Sequence, residues 1–176
     1  MSTPTDSCFV LGGARSGKSA FAERAVLATG KRPIYLATSR IWDQAHADRI
    51  KLHQAKRDAS WHLVEVPVEL EEALRLYAQT DAAVLVDCLS LWVTNLIFDQ
   101  WEDAQVLAAT QKICDLLAEQ TPRHITFVSN EVGMGVAPET KLGNRFRDLM
   151  GLVNQRIAMS CSCAHFVVAG HALALK

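Results

Sequence analysis

The residues best suited to chemistry stand early in the chain. Gly12-Gly13-Ala14-Arg15-Ser16-Gly17-Lys18-Ser19 satisfies the spacing G-x-x-x-x-G-K-[ST]. Gly12 and Gly17 let the backbone turn tightly with its N–H groups facing inward, a shape that wraps phosphate oxygens. A helix that starts after such a turn aims the positive end of its dipole at the same anion. Lys18 has the reach and charge for β- and γ-phosphates, and the Ser19 hydroxyl suits a Mg²⁺ ion. A second run, Ala83-Val84-Leu85-Val86-Asp87, is an apolar strand that ends in a carboxylate. Asp87 reads either as a partner for that Mg²⁺ or as an acid that merely ends a strand. A third run, Val128-Ser129-Asn130-Glu131-Val132-Gly133, would bring Asn130 and Glu131 to the same rim, because ligands of open α/β sheets collect beyond the carboxyl ends of the strands.

Of the six histidines, His124 and His165 each begin an apolar run and read as structural or rim residues. His62 falls in an expected turn, and His171 in an expected C-terminal tail. The segment Asp43–Arg57 differs, since His46, Ile50, His53 and Arg57 share one face at helical spacing. An arginine there would neutralise phosphate charge, and neutral imidazole is a competent nucleophile. The same stretch, with Arg49, Lys51, Lys56 and Arg57, also reads as a solvated basic helix.

These groups need a frame. Short, nearly continuous apolar runs predict strands at Cys8–Leu11, Pro33–Ala37, Ala82–Asp87, His124–Ser129 and His165–Ala169, each covered on both faces. Helical segments are expected at Ser19–Thr29, Val68–Gln79 and Asp103–Glu119, and from Leu142 to Ile157, where apolar residues recur every three or four positions. Strand alternating with helix predicts an α/β domain with a mostly parallel sheet and helices on both faces. The expected organisation is a short N-terminal extension, residues 1–7, and one domain over residues 8–176.

Composition narrows the function. The chain of 176 residues has 49% hydrophobic side chains, and 18 Lys+Arg oppose 19 Asp+Glu for a net charge of −1. That supports a packed core, and it argues against disorder and against a dedicated nucleic-acid binder. Such a length leaves room for one pocket rather than two separate active sites. Met1–Ser7 lack the pattern of a secretory leader, and Asp87, Thr94 and Asn95 interrupt the apolar stretch Ala82–Phe98. The five cysteines form no CxxC pair and read as small buried thiols, so a reduced cytoplasm is the expected setting.

The strings LGGARSGKSAFAER (Leu11–Arg24), IYLATS (Ile34–Ser39), RIKLH (Arg49–His53), VLVDCLSLWVTNL (Val84–Leu96) and VSNEVGMGVAPE (Val128–Glu139) occur in that order. NRFRDLMGLVNQRIA (Asn144–Ala158) and VVAGHALALK (Val167–Lys176) complete them. Together they resemble the bifunctional adenosylcobinamide kinase / adenosylcobinamide-phosphate guanylyltransferase family of cobalamin biosynthesis, over nearly the whole chain after residue 7. The resemblance implies a P-loop NTPase domain of RecA-like type, assembling as a homotrimer. It implies phosphorylation of adenosylcobinamide by a nucleoside triphosphate, ATP or GTP. Transfer of GMP from GTP to the resulting phosphate would follow, through a guanylyl-histidine intermediate. By this likeness His53, four residues after Arg49, is the nucleophile; on physical grounds Lys18 would neutralise phosphate charge in both reactions. Nucleotide contacts are implied at Gly12 to Ser19, at Ala37, Thr38 and Ser39, at Gln54, Ala55, Lys56 and Arg57, and at Glu65 and Asp87. Ser19 and Asp87 would hold Mg²⁺.

Two stretches depart from the family pattern. Ala45-His46 replaces an acidic residue and methionine before the arginine, and Lys56-Arg57-Asp58 replaces Gly-Arg-Pro after the histidine. His46 is therefore a rival histidine. The corrinoid pocket is not legible: Trp42, Trp92 and Trp101 suit its walls or the core equally. Alternative readings are a plain small-molecule kinase, a guanylyltransferase alone, or a nucleotide-dependent regulatory switch.

Overall fold

The computed structural model describes residues 6–40, 60–119 and 124–176. Its elements run β1 (Asp6–Gly12), α1 (Lys18–Leu27), β2 (Arg32–Ala37), β3 (His62–Glu65), α2 (Leu70–Ala78), β4 (Ala82–Asp87), α3 (Leu89–Phe98), α4 (Asp103–Ala118), β5 (His124–Asn130), α5 (Lys141–Ser160), β6 (Cys163–Val168) and β7 (His171–Ala174). The strands form one sheet in the order β3-β2-β4-β5-β1-β6-β7. Every pairing is parallel except β6 with β7. The expected parallel α/β sheet is therefore present.

Alternation along the strands explains their unbroken apolar character. In β1, Val10 faces a cluster with Ala22 and Val26 of α1, whereas Phe9 faces the other layer. In β4, Ala83 and Leu85 join the α1 side, and Ala82, Val84 and Val86 join the opposite side. Among the described residues, that opposite layer holds α2 to α5, including Leu74, Trp92, Ile113 and Leu149. Both faces bury apolar side chains, so polar alternation has no place.

Several boundaries differ from expectation for local reasons. Strand β1 begins at Asp6, because Ser7 is buried and exchanges hydrogen bonds with Ser162 across 155 residues. Helix α1 ends at Leu27 rather than Thr29. The Thr29 and Gly30 amides donate to Val26 and Leu27, three residues back, which tightens the last turn. Strand β6 stops at Val168, since Ala169 (φ 51) and Gly170 (φ 81) make the two-residue turn into β7. His62 opens β3 rather than lying in a turn, and His171 opens β7 rather than lying in a tail.

Helix α3 has no expected counterpart. Leu89, Trp92, Val93, Leu96 and Ile97 are all buried, and so are Ser90 and Asn95, leaving little amphipathic stripe to reveal a helix. Trp92 is 1% exposed, and its indole N–H donates to the Val68 carbonyl at 2.8 Å. It belongs to the core and is not a pocket wall. Trp92→Ala should therefore cost about 3–5 kcal/mol, from the cavity together with an orphaned carbonyl. Urea unfolding should show the midpoint falling by a corresponding amount, with the slope little changed.

Candidate nucleotide site

The loop between β1 and α1 has the form its sequence predicts. Gly17 caps α1 at φ 96, a conformation that favours glycine, and Arg15 also takes a positive φ of 56. At Gly12 the constraint is space: a Cβ would stand 2.5 Å from the Val167 carbonyl oxygen and 2.6 Å from Ser16 Oγ. The loop rests on the β6–β7 turn, where the Gly170 amide donates to the Ser16 carbonyl at 2.8 Å. Ala14 and Arg15 are exposed at its tip, and Ser16 is buried. Lys18 Nζ reaches back to donate to the Gly13 carbonyl at 3.1 Å.

The strand ends form one rim. Register places Gly12 beside Asn130, and Asp87 beside both Ala37 and Val128. Ala37 in turn pairs with Glu65. Asp87 continues the row of Ala83 and Leu85, so its carboxylate lies on the α1 side, as does Glu65 in the row of Leu63. Glu65, Ala37 and Asp87 thus stand abreast on three neighbouring strands. Strand β5 alone separates Asp87's strand from the strand that feeds the loop.

Tyr35 Oη donates to Asp87 Oδ2 at 2.8 Å, fixing the carboxylate. Next to it, burial pushes the Cys88 thiol up to about 11; the Asp87 charge adds to this and the Lys18 ammonium opposes it. Lys18 and Asp87 therefore lie within electrostatic reach of one group. The donor set fits Mg²⁺ by its chemistry: a hydroxyl in the first turn of α1 and a carboxylate on the same side of the sheet are both hard oxygen ligands. Ser16 Oγ, buried and without a partner among the described residues, lies beneath the loop beside Gly12.

The Thr38 side chain turns into the protein. It is wholly buried, and Oγ1 accepts from the Cys88 amide at 2.8 Å and donates to the Cys88 carbonyl at 2.7 Å. The Thr38 amide donates to the Asp87 carbonyl at 3.3 Å and its carbonyl accepts from Asn95, whereas Ser39 is half-buried. Arg40 grips Asp99 through two bonds of 2.6 Å, which hold the Asp99 carboxyl below its usual range and fix where the chain leaves the rim.

Asn130 and Glu131 reach the rim but act on the protein itself. The Asn130 amide donates to Ser90 Oγ at 2.9 Å. The Glu131 carboxylate accepts from the Gly133 and Met134 amides, and the Glu131 amide donates to the Gly12 carbonyl, tying this loop to β1. The sequence reading missed Asn95, whose side-chain amide donates to the Thr38 carbonyl at 2.7 Å and the Pro67 carbonyl at 2.8 Å. It clamps the exits of β2 and β3, and a lone asparagine in an apolar helix was the available signal. His53, Gln54, Ala55, Lys56 and Arg57, with His46 and Trp42, lie outside the described residues. Trp101 is half-buried against the core.

Residues 8–175 match the family described as cobinamide kinase / cobinamide phosphate guanyltransferase. The chain is 40% identical to the bifunctional adenosylcobalamin biosynthesis protein CobP of Pseudomonas aeruginosa, over 95% of each chain. It is 37% identical to the bifunctional adenosylcobalamin biosynthesis protein CobU of Escherichia coli, covering 95% of this chain and 98% of the relative. Among solved structures, the flagellar accessory protein FlaH from Methanocaldococcus jannaschii shares the fold at a TM-score of 0.53 and 13% identity, over 97% of this chain and 78% of that one. Among the described residues no helix is long and apolar enough to cross a membrane.

Proposed function

The chain belongs to the cobinamide kinase / cobinamide phosphate guanyltransferase family and is a transferase, and on that premise we propose that one phosphate cradle serves both of its reactions. The observation that carries this is the loop Gly12 to Ser19, seated against β6–β7, with the Tyr35-bound carboxylate of Asp87 on the same side of the sheet as α1.

In the first reaction a nucleoside triphosphate, ATP or GTP, lies with its phosphates against the loop amides. Lys18 neutralises charge on the β- and γ-phosphates while the aminopropanol hydroxyl of adenosylcobinamide attacks the γ-phosphorus; the bond to the β-phosphate oxygen breaks, the nucleoside diphosphate leaves, and the hydroxyl proton passes to solvent. Ser19 and Asp87 would hold Mg²⁺, which supplies further charge neutralisation when bound. In the second reaction the neutral imidazole of His53 attacks the α-phosphorus of GTP. A nitrogen–phosphorus bond forms as the bond to pyrophosphate breaks. A phosphate oxygen of adenosylcobinamide phosphate then attacks that phosphorus, releasing His53 and giving adenosylcobinamide-GDP. An unperturbed imidazole, with a pKa near 6.5, is mostly neutral at pH 7 and suits this role. Ala37, Thr38, Ser39 and Glu65 on the rim, with Gln54 to Arg57, complete the nucleotide contacts. The working unit is a homotrimer in the cytoplasm, as the resemblance implies.

The test is turnover with and without acceptor. Purified protein given ATP, GTP and adenosylcobinamide should yield adenosylcobinamide-GDP and pyrophosphate. Slow GTP hydrolysis that cobinamide leaves unchanged would instead mark a regulatory switch. Accumulation of adenosylcobinamide phosphate alone would mark a plain kinase.

A further inference from the structure

One cluster of soft ligands lies away from the nucleotide rim. Cys8 on β1 pairs directly with Cys163 on β6, and His165 sits beside Val10 two residues further along. The three side chains share the face that α1 covers. Their ligand atoms, two sulfurs and an imidazole nitrogen, all lie within 4.8 Å of one another. Both cysteines are free, and all three residues are half-buried. The His165 ring is propped edge-on against Phe21, with centroids 5.1 Å apart.

We propose that Cys8, Cys163 and His165 bind one thiophilic divalent ion of the zinc type, with the fourth position open to solvent. The donor set decides the class: two thiolates and an imidazole favour zinc-like ions, and none of the three is the hard oxygen ligand that Mg²⁺ or Ca²⁺ takes. The spacing agrees as well. A tetrahedral ion with metal–sulfur bonds of about 2.3 Å and a metal–nitrogen bond of about 2.0 Å sets its ligand atoms roughly 3.5–3.8 Å apart. Closing the trio from its present spread therefore takes side-chain movement of about an ångström or less. On loading, each thiol gives its proton to solvent and no oxidation state changes. The third ligand separates this site from a redox pair, since a disulfide would use the two sulfurs and give His165 no part.

The ion would pin β1 to β6 at the end of the strands opposite Gly12 and Val167. Its effect is on the stability of the frame behind the phosphate loop, and not on chemistry at the rim. Cys161 is the natural control: it is buried in the core on the other face of the sheet, outside the trio.

The full-length protein, stripped with a chelator and kept in phosphine reductant with excess Mg²⁺, should be titrated with Co²⁺. Thiolate ligation gives sulfur-to-cobalt charge-transfer absorption that oxygen ligands at the nucleotide site do not. The expected result is that absorption saturating at one equivalent, reversed by Zn²⁺, with Zn²⁺ also raising the melting temperature. Cys8→Ser and Cys163→Ser should abolish the band while retaining the native far-UV circular dichroism, and Cys161→Ser should keep it. His165→Gln should weaken binding by more than the roughly 10–100-fold that loss of an outer-shell partner costs. Absence of the band in the wild-type protein, or its survival in folded Cys8→Ser or Cys163→Ser, overturns the proposal.

Discussion

Lys18→Ala is expected to slow phosphoryl transfer and guanylyl transfer together, each by about 10²–10³-fold, the usual loss when one preorganised stabilising group is removed. The reason is geometric. Lys18 Nζ already spans the loop to the Gly13 carbonyl, so its charge sits inside the turn that both triphosphates would occupy. Folding should be spared, because the loop is held by the Gly170–Ser16 bond and by Ala22 and Val26 beneath it, none of which involves the ammonium. Each half-reaction should be assayed separately, against a melting curve as the control. A variant that keeps either reaction at the wild-type rate would show that the two do not share a cradle.

His53→Ala is expected to divide the two activities. Guanylyl transfer should fall by on the order of 10⁴–10⁶, as when a covalent nucleophile is deleted, because the proposed intermediate forms on that imidazole. Phosphoryl transfer should continue near the wild-type rate, since it rests on Lys18, the loop amides and the rim. His46→Ala is the matched control, seven residues earlier in the same stretch of sequence. If His46→Ala loses guanylyl transfer and His53→Ala keeps it, the nucleophile has been assigned to the wrong histidine.

What could be read from the sequence follows from the range of the interactions. The phosphate loop was legible because glycine, lysine and serine act through one short stretch of backbone, with Gly17 at a positive φ where the spacing requires it. Strands β1, β4 and β5 were legible because covering both faces leaves continuous apolar runs. Strands β3 and β7 were not: they are edges with exposed residues such as His62, Glu65 and His171, and only pairing to β2 or β6 makes them strands. Helix α3 was hidden by being buried all round. Long-range contacts left no local trace, among them Ser7 with Ser162 and Gly12 against Val167. The likeness to the family supplied Glu65 and Ala37, and register then set them abreast of Asp87.

The central claim is a covalent guanylyl enzyme built on the shared cradle. Its most direct test is the intact mass of the full-length protein after incubation with GTP and Mg²⁺ in the absence of corrinoid. The wild-type protein should gain one GMP, lose it in acid and on addition of adenosylcobinamide phosphate, and show no gain as His53→Ala. A wild-type protein that makes adenosylcobinamide-GDP yet never gains mass, or a His53→Ala protein that gains as much, would contradict it.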